Sequence, residues 1–143
     1  MSNGMYAKGL EKILTGQIDF INDTICIVLL ESGYVVDLAN HEFYSDVNAY
    51  AAPSIAAGIP INNPSSTFVT GGLFTTGPAF GAGLPIPAGP TLSYVVLFMR
   101  TGDPATSPLI AFWDTGSGFP FTPNGTNVTL NFTGGGASGW IQV

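Results

Sequence analysis

His41 is the only histidine in the chain, so any general base of ordinary type at neutral pH must be built on it. Glu42 adjoins it, Asp37 and Asp46 lie nearby, and Ser45 and Ser54 are the closest following serine hydroxyls in sequence. A nucleophilic serine needs a base beside it and a sharp turn to present it, and no G-x-S-x-G pattern occurs. His41 therefore reads as a capping or hydrogen-bonding group at the start of a short turn. A structural zinc site needs several Cys or His ligands, and the chain has one of each. Asp19, Asn22 and Asp23 offer oxygens of the kind calcium takes, but D-x-x-N-D lacks the EF-hand spacing and reads as a solvated turn. Glu11, Glu31, Glu42 and Asp114 supply carboxylates for glycoside hydrolysis, yet their spacing gives no reason to pair any two. Gly134–Gly136 and Gly139 follow a strand pattern but open no helix, so they form no phosphate cradle. The residue types predict no catalytic site, no metal and no cofactor. The chain reads as a non-enzyme.

Charge says more. From Val47 to Met99 there is no Asp, Glu, Lys or Arg, a run of 53 residues, and charged residues make up only 8% of the whole. Soluble domains average about 25%. The run is broken every few residues by Gly, Pro, Asn, Ser or Thr, so it is no membrane span, which needs roughly 20 consecutive apolar residues. It describes a folded surface built without charge, and such surfaces suit packing against other protein. Lys8, Lys12 and Arg100 are the only cations in a net charge of −6. They cannot form the basic stripe that phosphate neutralisation requires, so neither nucleic acid nor an anionic membrane is an expected partner. Seven of the nine carboxylates lie at or before Asp46.

The elements that must carry these residues follow from periodicity. At 143 residues the expectation is one domain spanning 1–143. Tyr6, Leu10, Ile13 and Leu14 recur at helical spacing, which predicts a short helix over 5–15 ended by Gly16, with Gly9 as a weak point. Ile18–Phe20 and Thr24–Leu30 flank an Asn22-Asp23 turn, and TICIVLL, apolar on both sides, predicts a central strand covered on both faces. Residues 40–46 predict one helical turn. Short strands are expected at Ile59–Ile61, Thr67–Thr70 and Leu73–Thr75. The Pro- and Gly-rich 79–90 segment predicts an extended loop or arm. Leu92–Met99 is the strongest strand, Pro108–Asp114 the next, and Thr126–Phe132 alternates cleanly before a last short strand at Trp140–Val143. With 19 glycines and 11 prolines setting turns every 8–12 residues, the expected fold is mainly β: a single antiparallel β-sandwich or barrel, jelly-roll or immunoglobulin-like, with a short N-terminal helix.

Cys26, alone in an apolar run, reads as a buried small hydrophobe. The four N-x-S/T sites, at Asn22, Asn124, Asn127 and Asn131, read as turn and strand chemistry, because no secretory leader is recognisable. Phe112 and Trp113 adjoin in a strand, so one faces a core and the other a surface. Phe68, Phe74 and Phe80 recur every six residues through the uncharged run. Interface cores are rich in aromatics and poor in charge, so the candidate contact residues are Phe68, Leu73, Phe74, Phe80, Leu84 and Ile86.

Two stretches carry a resemblance. Leu14 to Leu30 reads L-x-G-x-I-D-x-x-x-D-T-I-x-I-x-L-L, and Ser32 to Val47 reads S-x-Y-x-x-D-L-x-x-H-x-F-x-S-D-V. Thr101 to Ala111 reads T-G-D-P-A-T-S-P-L-I-A, with Asn124–Thr126 and a Gly139 to Ile141 ending further on. Over its first and last thirds the chain resembles a family of small virion proteins of tailed double-stranded DNA bacteriophages and cyanophages. Residues 51–90 depart from it, being richer in Pro and Gly and poorer in charge. The resemblance implies a structural role with no catalytic residues. Joined to the uncharged surface, it leads to the expectation of a capsid decoration (cement) protein. Such a protein is made in the host cytoplasm and sits on the virion surface as a homotrimer bound to the major capsid protein. The alternatives are a structural protein of the neck, tail or fibre base, or a carbohydrate-binding β-sandwich that displays Trp113 or Trp140 as a stacking platform.

Overall fold

The computed structural model describes residues 4–19, 22–60, 65–69, 72–76, 84–113, 120–125, 127–128 and 141–142. In chain order the elements are β1 (Gly4–Met5), α1 (Ala7–Leu14), β2 (Ile25–Glu31), three 3-10 turns (Tyr44–Asp46, Asn48–Tyr50, Pro53–Ile55), β3 (Ile59–Pro60), β4 (Ser65–Val69), β5 (Gly72–Thr76), β6 (Leu84–Pro85), β7 (Leu92–Met99), β8 (Leu109–Trp113), β9 (Asn127–Val128) and β10 (Ile141–Gln142).

The main sheet is antiparallel, in the order β1-β8-β7-β2-β3. Its centre is the pairing of β2 with β7, from Ile25 opposite Met99 to Leu30 opposite Tyr94. All six apolar residues of β2 are buried, as expected for TICIVLL, because both faces of the sheet are covered. Side chains alternate between those faces. Ile25, Ile27, Leu29, Val95 and Leu97 pack with Ile18, Ala52, Ile55, Ile86 and Leu92. Cys26, Val28, Leu30, Val96 and Phe98 pack on the other side with Tyr6, Tyr34, Tyr44 and Val47. The short outer strands leave little open edge on this sheet. β3 covers Cys26 and Ile27, a bridge from Ala51 covers Leu30, and β1 covers Ala111 and Phe112. Two smaller antiparallel sheets, β10-β5-β4 and β6-β9, complete the described strands. The described residues therefore form a small mainly-β domain with one short helix.

The helix begins two residues later than expected and is held by the residue that looked weakest. Gly9 lies flush on β8: a methyl group there would come within 2.0 Å of the Leu109 carbonyl oxygen and 2.9 Å of Ile110 Cα. Glycine costs α1 helical propensity but permits backbone-to-backbone contact that no other residue allows. Tyr6 N–H donates to Ile110 O and Ala7 N–H to Leu38 O, which fixes the helix entry. Gly58, with φ of +87°, serves the opposite edge in the same way, because a Cβ there would meet the Phe98 ring at 2.6 Å.

Ahead of the turn, Ile18 and Asp19 form no strand, and Ile18 drops a buried side chain into the core. The 40–46 turn is present as the 3-10 turn Tyr44–Asp46, with the Asp46 carboxylate accepting from Glu42 N–H and Phe43 N–H. The expected 79–90 arm is partly ordered pairing: Leu84 and Pro85 ladder onto Val128 and Asn127. Residues 79–83, Asp114, most of the expected 126–132 strand and Trp140 lie outside the described residues.

Candidate functional site

The aromatic side of the sheet gathers the polar groups that chemistry would draw on. Tyr34 is their hub. It follows β2, is 2% exposed, and places its hydroxyl 2.9 Å from the Tyr6 hydroxyl and 2.8 Å from His41 Nδ1. The rings of His41, Tyr50 and Tyr94 surround it at 5.6–5.7 Å between centroids, Tyr94 edge-on. Burial pushes the Tyr6 phenol far above its ordinary value, and the hydrogen bond with Tyr34 adds to the shift. Burial raises Tyr34 as well. Tyr44 stacks on Phe98, 4.3 Å between ring centroids and nearly parallel, and donates to Ala56 O at 2.5 Å. Burial brings its phenol up to about 12. These tyrosines are locked neutral donors. They hold the 34–56 segment on the sheet and have no tendency to ionise as nucleophiles or bases.

His41 thus has the hydrogen-bonding role expected of it, with Tyr34 as the partner. No local pattern marks that partner, because the contacts span 7 and 28 residues. The one available signal was that four of the five tyrosines fall within the first fifty residues. The acids are separately engaged. Glu42 takes the Lys12 ammonium at 2.5 Å, and Lys12 also sits 5.3 Å from the centre of the Phe43 ring. Glu11 meets Lys8 at 3.9 Å on the exposed side of α1. Asp37 accepts from the Asn40 side chain and from the Asn40 and Ala39 N–H groups, and the Asn40 side-chain bond is the main reason its carboxyl lies below the usual range. In the 19–23 turn, Asp19 accepts from the Asn22 side chain and backbone, and Asp23 accepts from Asp19 N–H. Its carboxylates are turned inward on their own loop. No cluster of three or more His, Cys, Asp or Glu suited to a metal ion occurs among the described residues.

The contact candidates fall in three places. Phe68 lies in β4, and Leu73 and Phe74 in β5, opposite one another in the register Phe68↔Leu73 and Thr67↔Phe74. Leu84 lies in β6 opposite Val128, and Phe80 lies outside the described residues. Ile86 packs within the chain's own core, 2% exposed, in one cluster with Leu92, Ala52 and Ile55. It offers a partner almost no surface, and what it does instead is floor a cleft. That cleft, of about 120 Å³, is lined by Ala52, Pro53, Pro87, Pro90, Leu92 and Pro123 among others. Phe112 is the core-facing member of the Phe112-Trp113 pair, fully buried against Tyr94.

Comparison with known protein families, with characterised proteins and with solved structures finds no match to this chain. Among the described residues, no helix is long and apolar enough to cross a membrane.

Proposed function

We propose that this chain is a phage capsid decoration protein, a non-catalytic virion component that binds the major capsid protein and strengthens the mature head. The observation that carries the reading is the charge-free run from Val47 to Met99, because it supplies not only the buried β7 but also the peripheral strands β3 to β6. A surface of this kind favours permanent protein contact over free solution, since charges are what interface cores exclude. The resemblance of the first and last thirds to small virion proteins supports it. So does the use of His41 and the tyrosines as structural ties. In this reading the two larger sheets pack as a sandwich, with one face of β4 and β5 toward the main sheet and the other toward neighbouring subunits of a trimer; the register puts positions 68 and 73 on one face and position 74 on the other. At roughly 25 cal/mol per Å2 of apolar area, a few hundred Å2 at each contact contributes several kcal/mol before association costs. Repeated over a shell, that resists the pressure of packaged DNA.

The test is the solution mass by light scattering, followed by co-sedimentation with heads of the chain's own phage. The expected result is about three times the 14.8 kDa of the monomer, and saturable binding to heads. A monomer that does not sediment with heads overturns the reading. A mass set by another symmetry, with binding to tails only, moves the protein to the neck or tail.

A further inference from the structure

Among the described residues, Glu31, on the lining of the proline cleft, is the one acidic residue whose carboxylate has no ion-pair or hydrogen-bond partner. Glu11 and Glu42 pair with Lys8 and Lys12. Asp19, Asp23, Asp37, Asp46 and Asp103 accept from backbone or side-chain N–H groups. Glu31 has neither, although it is half-buried and is the only charged residue lining the cleft. None of the chain's three cations is placed to pair with it: Lys8 and Lys12 meet Glu11 and Glu42, and Arg100 follows Met99 at the Ile25 end of β2, the far end of the strand from Glu31. A partly buried carboxylate without a hydrogen-bond donor is costly, and such a group calls for an explanation.

The site around it is built firmly. The β2–β7 register shifts between Leu30 and Glu31, and bulges of this kind re-aim a side chain at a strand end. Leu92 and Phe121 exchange both backbone hydrogen bonds, Ala52 N–H donates to Leu29 O, and the Thr91 and Thr122 hydroxyls bond at 2.7 Å. These ties fix the walls carrying Ala52, Pro53, Leu92 and Pro123 before any ligand arrives. A volume of about 120 Å³ is the size of one side chain; an engineered cavity of about 150 Å³ holds a benzene ring.

We propose that this cleft receives an arginine side chain presented by a partner protein, with Glu31 as its counter-ion. The inference rests on the reading of the chain as a protein-docking virion component and names the chemistry of one contact. Arginine fits both halves of the site. Its methylene stem lies along the exposed walls of Pro53, Pro87, Ala88 and Pro90, and its planar guanidinium offers two parallel N–H donors to one carboxylate.

The experiment is an NMR titration of the intact protein with the peptide acetyl-Gly-Gly-Arg-Gly-Gly-amide and with its citrulline counterpart, which has the same shape without the charge. The expected result is shifts at Glu31, Ala52, Ala88, Gly89 and Leu92 with the arginine peptide, at least tenfold weaker with citrulline, and at least tenfold weaker in Glu31→Gln. Absence of shifts at the cleft, equal response to citrulline, an undiminished response in Glu31→Gln, or the same response to magnesium chloride alone overturns it. The citrulline comparison stands on the unaltered protein, so it decides the matter whatever Glu31→Gln does to folding. A trimer that binds heads but ignores the arginine peptide rejects the cleft and leaves the proposed function. A monomer that binds the peptide does the reverse.

Discussion

The two faces of the main sheet are closed by different chemistry. On one, Ile18, Ala52, Ile55 and Ile86 cover β2 and β7 with hydrocarbon alone. On the other, Tyr6, Tyr34 and Tyr44 cover the same strands and must each place a hydroxyl. The apolar face tolerates any close packing of the right volume. The aromatic face tolerates only arrangements in which every phenol finds its partner, since an orphaned hydroxyl in a low-dielectric interior costs about 1–3 kcal/mol. Specificity is therefore concentrated on the side that carries the irregular 34–51 segment, which is tied to strands only by single bridges at Phe43 and Ala51. The apolar side is free to end in an open cleft.

That contrast can be broken most strongly at Phe98. Phe98→Ala removes the ring on which Tyr44 stacks and against which Gly58 closes, and is expected to cost about 3–5 kcal/mol by urea unfolding. A smaller loss would mean that the aromatic face repacks as readily as the aliphatic one. Gly9→Ala is next, at about 1–3 kcal/mol, because its methyl group meets the β8 backbone. Gly33→Ala, with nothing nearer than 3.9 Å, serves as the matched control and is expected to leave stability within about 0.5 kcal/mol. Tyr34→Phe deprives both Tyr6 and His41 of a partner and should cost about 1–3 kcal/mol. Ile27→Val on the opposite face should cost about 0.5–1.5 kcal/mol, with no polar group disturbed.

Alkaline pH separates the faces without mutation. The Tyr44 phenol sits at about 12 in the fold and lower in the unfolded chain, so folding favours its neutral form. That stability is complete below pH about 10 and is lost as pH rises from there through the folded value. Unfolding followed by circular dichroism should show this decline, and Tyr44→Phe should remove part of it. The smallest expected effect is at the cleft: Glu31→Gln should raise folding stability by about 0.5 kcal/mol, because it removes a partly desolvated charge and loses no partner.

What could be read from the sequence was whatever depends on near neighbours. LSYVVLFM coincides with β7 residue for residue, and TICIVLL marked the buried centre because alternation is absent there. Gly9 was misread, since its worth lies in a strand a hundred residues away that no local pattern reveals. The same holds for the candidate site. The excess of nine carboxylates over three cations is plain in the composition, where it bears on nucleic-acid binding and points to no site. Which acid sits in the cleft, beside four prolines, depends on segments from 31, 52, 86 and 123 meeting in space.

Cys26 lends the molecule a clock. It is the chain's only thiol, lies fully buried in the central strand, and is shifted by burial toward its unreactive protonated form. A thiol reagent can reach it only when β2 parts from its neighbours, so the rate of labelling counts openings of the core itself. Partner contacts that restrain those openings would slow the clock, and the same atom would then time the protein alone and in its assembly.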